Sequence, residues 1–185
     1  MLTRQQIDRV IGSRKVVDGV AEYCWLQSRL GRPGPVTRDL EFQARFSRFY
    51  GLNRPAASLR RLVFRELVSA TRRRSVSYPG VLTRLHRLHG SVEASFASKI
   101  LASVDPSQPV IDKWVLRNTG LKLPHFGSRD RVTKTVRVHR ELKRRCGRFL
   151  RTGVGRYLVR RFRRLHKAYN VTEMKMLDFI LWQTR

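Results

Sequence analysis

Few side chains in this 185-residue sequence have the types and spacing that covalent chemistry needs. His86 and His89 stand three apart, as metal ligands can, but no acidic ligand of matching spacing accompanies them, so surface or phosphate contact is the expected role. His125, His139 and His166 are isolated. Cys24 and Cys146 are too few for a disulfide framework or a four-thiolate metal site and are expected to be inert thiols. Of the carboxylates, the one tight pair, Asp39 with Glu41, fits a helix cap followed by a first-turn acid better than a two-metal site. There is no P-loop, dinucleotide glycine fingerprint or GxSxG elbow, so nucleotide hydrolysis, hydride transfer and hydrolase-type acyl chemistry have no anchor. Neither a metal nor a cofactor is expected. In DPSQPVIDKW, Asp112 places one carboxylate near a helix start, close in sequence to the turn at Gly90. Its competing role is a helix-terminal acid that complements the dipole.

The elements that must position it are helical. Thr3 with Gln6 has capping-box spacing, and Ile7, Val10, Ile11, Val17, Val20, Ala21, Cys24 and Trp25 recur every three or four residues until the run GRPGP, Gly31 to Gly34 and Pro35, stops the helix. Asp39 is the expected N-cap of a helix to Tyr50, whose aromatic stripe Phe42, Phe46, Phe49 and Tyr50 fits a core better than a base-stacking platform. Further helices are expected over 55–70, 79–88, 92–104, 109–118, 129–150, 155–168 and 172–184, with Asn170 and Glu173 as the capping signal of the last. VTKTVRV at 132–138 alternates like a strand but has no partner run. The expectation is an all-α single domain over 1–185, built from eight or nine short helices with a helix-hairpin-helix core at about 79–118. No stretch reaches the ~18 apolar residues of a membrane span and the N-terminus lacks a secretory signal, so a cytoplasmic protein that makes no membrane contact is expected.

Charge supplies the strongest partner signal. Lys and Arg number 40 against 13 Asp and Glu, a formal net charge of +27, and only eight of the cations are lysine. They cluster at Arg60, Arg61, Arg72 to Arg74, Arg84 and Arg87, then densely through 129–167. Around 156–168 the apolar stripe Tyr157, Leu158, Phe162, Leu165 forces Arg160, Arg161, Arg163 and Arg164 outward or to its flanks. Self-repulsion of this size is relieved by a polyanion, so nucleic acid is the expected partner, with DNA favoured over RNA.

Residues 82–124 carry the pattern that links the two signals. An amphipathic helix ends at Leu88-His89, Gly90 turns the chain, and a helix starting near Ser91 carries the small residues Ala94, Ala97 and Ser98. LHGSVEASFA, ASKIL and PSQPVIDKW in succession resemble the helix-hairpin-helix DNA glycosylase superfamily, especially the 8-oxoguanine glycosylase-like fold. MKMLDFILWQ at 174–183 resembles that group's closing helix, and together these stretches cover a quarter to a third of the chain. His89 and Val92 stand where the hairpin pattern has a proline and its second glycine. Lyase-competent members carry a Schiff-base lysine just after that glycine, where this chain has Glu93 and Ala94. Lys99 lies about 140° further round the helix than Ala94 and so does not inherit the role by alignment.

The resemblance implies a two-lobed glycosylase-like arrangement and a monofunctional DNA glycosylase that excises a damaged or modified base, with Asp112 as its catalytic aspartate. A single ionised aspartate in a dry site can stabilise the oxocarbenium-like charge that develops when an N-glycosidic bond breaks. Trp114, Phe126 and Trp182 are the candidate walls of a pocket for the extruded base. Gly90, Ser91, Arg84, Arg87, Lys99, Lys113, Arg129, Arg131, Arg160, Arg161, Arg163 and Arg164 are the candidate nucleic-acid contacts. The alternative is a non-catalytic nucleic-acid-binding module, or a subunit of a larger nucleoprotein complex, in which Asp112 is structural.

Overall fold

Side-chain caps set where most of the helices begin. Thr3 accepts the Gln6 amide at 3.2 Å while the Gln6 side chain takes the Thr3 amide at 2.8 Å, the expected capping box. Asp39, Ser77, Asp112, Thr152 and Thr172 cap later helices in the same manner. The computed structural model describes residues 2–31, 36–52, 56–73 and 75–184, and every regular element among them is an α-helix. In order these are α1 (Arg4–Ile11), α2 (Arg14–Leu30), α3 (Leu40–Tyr50), α4 (Ala57–Thr71), α5 (Tyr78–His89), α6 (Ala94–Val104), α7 (Lys113–Thr119), α8 (Arg131–Leu150), α9 (Gly153–Leu165) and α10 (Glu173–Gln183). The expected stop at Gly34, the helix start at Pro55 and the cation Arg74 lie outside the described residues. No helix among the described residues is long and apolar enough to cross a membrane.

VTKTVRV lies in α8, within the helix expected over 129–150: buried Thr135, His139, Leu142, Cys146 and Phe149 repeat at three and four, so the helical period outweighs the local alternation. Two expectations are corrected by position. Residues 109–111 are not the first turn of α7, because Val110 and Ile111 are buried in non-helical backbone and the helix starts only after Asp112. The last helix is capped by Thr172 rather than Asn170, since it is the Thr172 hydroxyl that meets the Lys175 amide, at 3.2 Å.

One contiguous apolar core runs from Leu2 to Leu181. Helices α4, α5 and α6 pack on one another, α2 packs on α3, and α10 packs against α1, α2, α7, α8 and α9. The central place of α10 follows from its composition, for MKMLDFILW is apolar almost all round and such a helix is stable only when enclosed. Phe42 and Phe46 are fully buried against Phe64, as the aromatic stripe predicts. Gly155 is required by the α8–α9 corner, because a β-carbon there would overlap the Phe149 carbonyl.

Candidate active-site cavity and cationic face

Helix α6 is rich in small and apolar residues and holds one charged side chain, Lys99. The segment 105–112 is folded back on this helix by specific bonds. Asp105 accepts from the Ser107 amide at 3.0 Å and from the Gln108 side chain at 2.7 Å, which closes the turn. The Ile111 amide then donates to the buried Ser98 hydroxyl at 2.8 Å, which pins the strand-like residues beside α6 one position from Lys99. Asp112 follows at once as the N-cap of α7, one carboxylate oxygen accepting the Trp114 amide at 2.8 Å. A carboxylate and an amine 13 residues apart in sequence thus come to line one cavity.

That cavity, of about 220 Å³, is walled by the end of α3 (Arg48, Phe49, Tyr50, Gly51), by Lys99, Val110 and Asp112, and by Lys175, Asp178, Phe179 and Trp182 of α10. It lies below the ~300–1,000 Å³ of drug-sized sites, which leaves room only for a small ring or chain. Lys175 and Asp178 form an ion pair at 2.7 Å with side chains only 5% and 13% exposed. Burial opposes the charge on Lys175, but Asp178 outweighs it and holds the amine above the ordinary lysine range. The rings of Tyr23, Phe49, Tyr50 and Phe179 surround this ammonium at 4.9 to 5.6 Å.

Lys99 differs from Lys175. Its Nζ donates to the Tyr50 carbonyl at 2.7 Å, at the C-terminal end of α3 where carbonyls lack helical partners. Among the described residues no carboxylate approaches it within ion-pair distance. Burial therefore dominates, and Lys99 falls to about 8 despite the more distant attraction of Asp112 and Asp178. The Tyr50 hydroxyl is buried with no hydrogen-bond partner among the described residues. Tyr50 belongs to the core and Phe49 packs against it, as the stripe predicts, and both also wall the cavity.

No protein-family model, curated protein or solved structure matches the chain.

Of the three expected base-pocket residues, Trp182 lines the cavity and the other two do not. Trp114 lies partly buried beneath Lys113 and Arg117, whose charges sit 5.3 and 5.5 Å from its ring. Phe126 is 76% exposed in the loop before α8, with Arg131 over its ring at 5.0 Å. The chain turns at Gly90, which has φ 83° and caps α5, and Ser91 bridges His89 at 2.7 Å and Glu93 at 2.6 Å. Helix α6 begins at Ala94 rather than at Ser91.

The expected phosphate contacts divide sharply. Arg84 is committed to the buried Glu66 at 2.6 Å, and Lys99 to the cavity, so neither is a free surface cation. Arg161 reaches Asp8 at 3.3 Å and Arg163 reaches Glu173 at 3.0 Å. Arg87, Lys113, Arg129, Arg160 and Arg164 are exposed, and Arg131 is partly buried. On α8, Lys134, Arg137, Arg140, Lys143, Arg144 and Arg148 add an exposed series. Cys146 is buried, which pushes its thiol up to about 12, and burial likewise raises Cys24, which disfavours the thiolate of each.

Arg48, Lys175 and Asp178 escaped the sequence reading as cavity residues. The detectable signal was the Lys-x-x-Asp pair inside an otherwise apolar helix, since a charge pair survives such burial only when both members meet.

Proposed function

We propose that this protein binds DNA through the exposed cations of α8 and α9 and excises a base extruded into the cavity, in a helix-hairpin-helix, glycosylase-like arrangement. The observation that carries the reading is Asp112 at an aromatic-walled cavity in a chain of net charge +27. One Asp112 oxygen is held by the Trp114 amide, which fixes the carboxylate while the other oxygen carries no hydrogen bond among the described residues. A carboxylate so oriented can face C1′ of a sugar, stabilise the developing positive charge as the base departs, and orient the water that replaces it. Phe49, Tyr50, Phe179 and Trp182 offer ring faces to the unstacked base, which offsets the few kcal/mol of unstacking. The unpartnered Tyr50 hydroxyl offers a hydrogen bond to its edge. Phosphates on either side of the extruded nucleotide would meet arginine, whose planar fork suits bidentate contact.

The second reading, a binding module without chemistry, is favoured by one observation: Asp112 already has structural employment as the cap of α7. Asp112→Asn separates the two, because asparagine caps a helix about as well as aspartate and the fold is retained. Under the excision reading the variant loses base release from modified duplexes while duplex affinity is kept. Under the second, wild type and variant behave alike in every assay.

A further inference from the structure

We propose that the turn between α7 and α8 is a stacking platform for an unpaired base of a single-stranded nucleic acid, a site outside the cavity and independent of the excision reading. Residues 125–128 form a tight turn, in which the Ser128 amide donates to the His125 carbonyl at 3.0 Å and the Gly127 amide to His125 Nδ1 at 3.3 Å. Lys134 Nζ donates to the Ser128 hydroxyl at 2.9 Å, which ties the turn to α8. On either side the apolar residues Leu121, Leu123 and Val132 pack against the core. Phe126, at the second position of the turn, does not, and it is 76% exposed where the next most exposed aromatic among the described residues, Tyr169, is at 39%. A bonded turn with anchored flanks thus holds a bare ring out in water, where the ring adds little to the core.

The charge around the ring selects its occupant. Arg131 lies over Phe126 at 5.0 Å, and its Nε is buried without a partner among the described residues, so contact with the ring rather than an ion pair places this guanidinium. Lys122, Arg129 and Lys134 are exposed, and none of the four cations forms an ion pair among the described residues. Asp130 is the one acid in 121–134, which leaves a cationic surplus around an apolar face. The matching ligand presents a flat ring and negative charge within a few ångströms of each other, as a nucleotide does at every position of a strand. In a duplex both faces of a base are covered by its neighbours, whereas in a single strand a face opens at little cost and can stack on Phe126 while the flanking phosphates meet the cations.

Fluorescence anisotropy at fixed ionic strength tests this, using the full chain and labelled single strands of equal length: oligo-dT, oligo-rU and a DNA backbone with tetrahydrofuran in place of every base. The wild type should bind a base-bearing strand about 10-fold more tightly than the base-less one. Phe126→Ala should remove that difference while leaving the base-less affinity and the thermal midpoint unchanged, and Phe126→Trp should keep it. A difference seen with oligo-dT alone, oligo-rU alone or both supports the platform and assigns it to DNA, RNA or either. Asp112→Asn should bind all the strands as the wild type does, so failure of the excision reading leaves this result standing. Equal wild-type affinity for base-bearing and base-less strands, or a preference for bases that survives in Phe126→Ala, overturns the proposal.

Discussion

The cavity and the outer face of α8 and α9 hold similar side chains under opposite rules. In the cavity each charge is counted: Lys175 meets Asp178, while Lys99 stands at a carbonyl with Asp112 nearby in the same wall. On the outer face Arg160 and Arg164 stand one helical turn apart in water with no acidic partner among the described residues. The difference lies in where the chain has placed its carboxylates. Asp178 holds the buried Lys175, the buried Glu66 holds the half-buried Arg73 and Arg84, and the half-buried Glu22 holds the half-buried Arg45 at 2.6 Å. With only 13 acids against 40 cations in the sequence, most of the cations have no acid to meet. The interior thus uses charge for position, while the exterior carries a surplus whose field salt weakens.

The largest break in that contrast comes from Lys175→Met, which leaves Asp178 buried without its cation. Thermal or denaturant unfolding should show a loss of about 3–5 kcal/mol, and adding Asp178→Leu should restore most of it. An unchanged midpoint in the single variant would mean that the pair is not enclosed.

Next comes His139, stacked on Tyr78 at 3.9 Å and buried, with its Nε2 unpartnered among the described residues. Burial lowers it to about 4, hydrogen bonding to the Pro109 backbone opposes that shift, and the charge of Lys143 adds to it. Because the unfolded histidine binds a proton near 6.5 and the folded one does not, stability contributed here is full above about 6.5 and falls as the pH drops toward about 4. Urea midpoints measured across that window should decline in the wild type and flatten in His139→Gln. Equal slopes in the two would remove His139 as the cause.

On the exterior, replacing Arg160 and Arg164 with Gln should leave unfolding unchanged and reduce the log-log salt slope of duplex binding by about 2. An unaltered slope would exclude this face from phosphate contact. An alkaline effect matching that of His139 is also expected: Lys99 is lowered from 10.5 to about 8, so the unfolded chain binds the extra proton between those values and stability should rise across them. Lys99→Met should lack that rise.

The caps and helical periods made the helices legible: Thr3 with Gln6, Asp39, the Gly90 turn and the apolar α10 all lie where their residue types predict. The Gly12–Ser13 break between α1 and α2 was not legible, because the apolar period continues through it. Asp112 stood out in sequence, but its partner did not, since the bond from the Ile111 amide to Ser98 that brings Lys99 alongside joins residues 13 apart across an irregular turn. Phe126 looked like a pocket wall by type alone, and exposure is decided by what packs on a loop, which local sequence does not specify.

Whether an extruded base enters the cavity is tested most directly by photo-crosslinking a duplex that carries one unpaired 5-iodouracil and mapping the attachment site. The account predicts crosslinks to Phe49, Tyr50, Phe179 or Trp182. Crosslinks confined to exposed rings such as Phe126, or none at all while the duplex is bound, would contradict it.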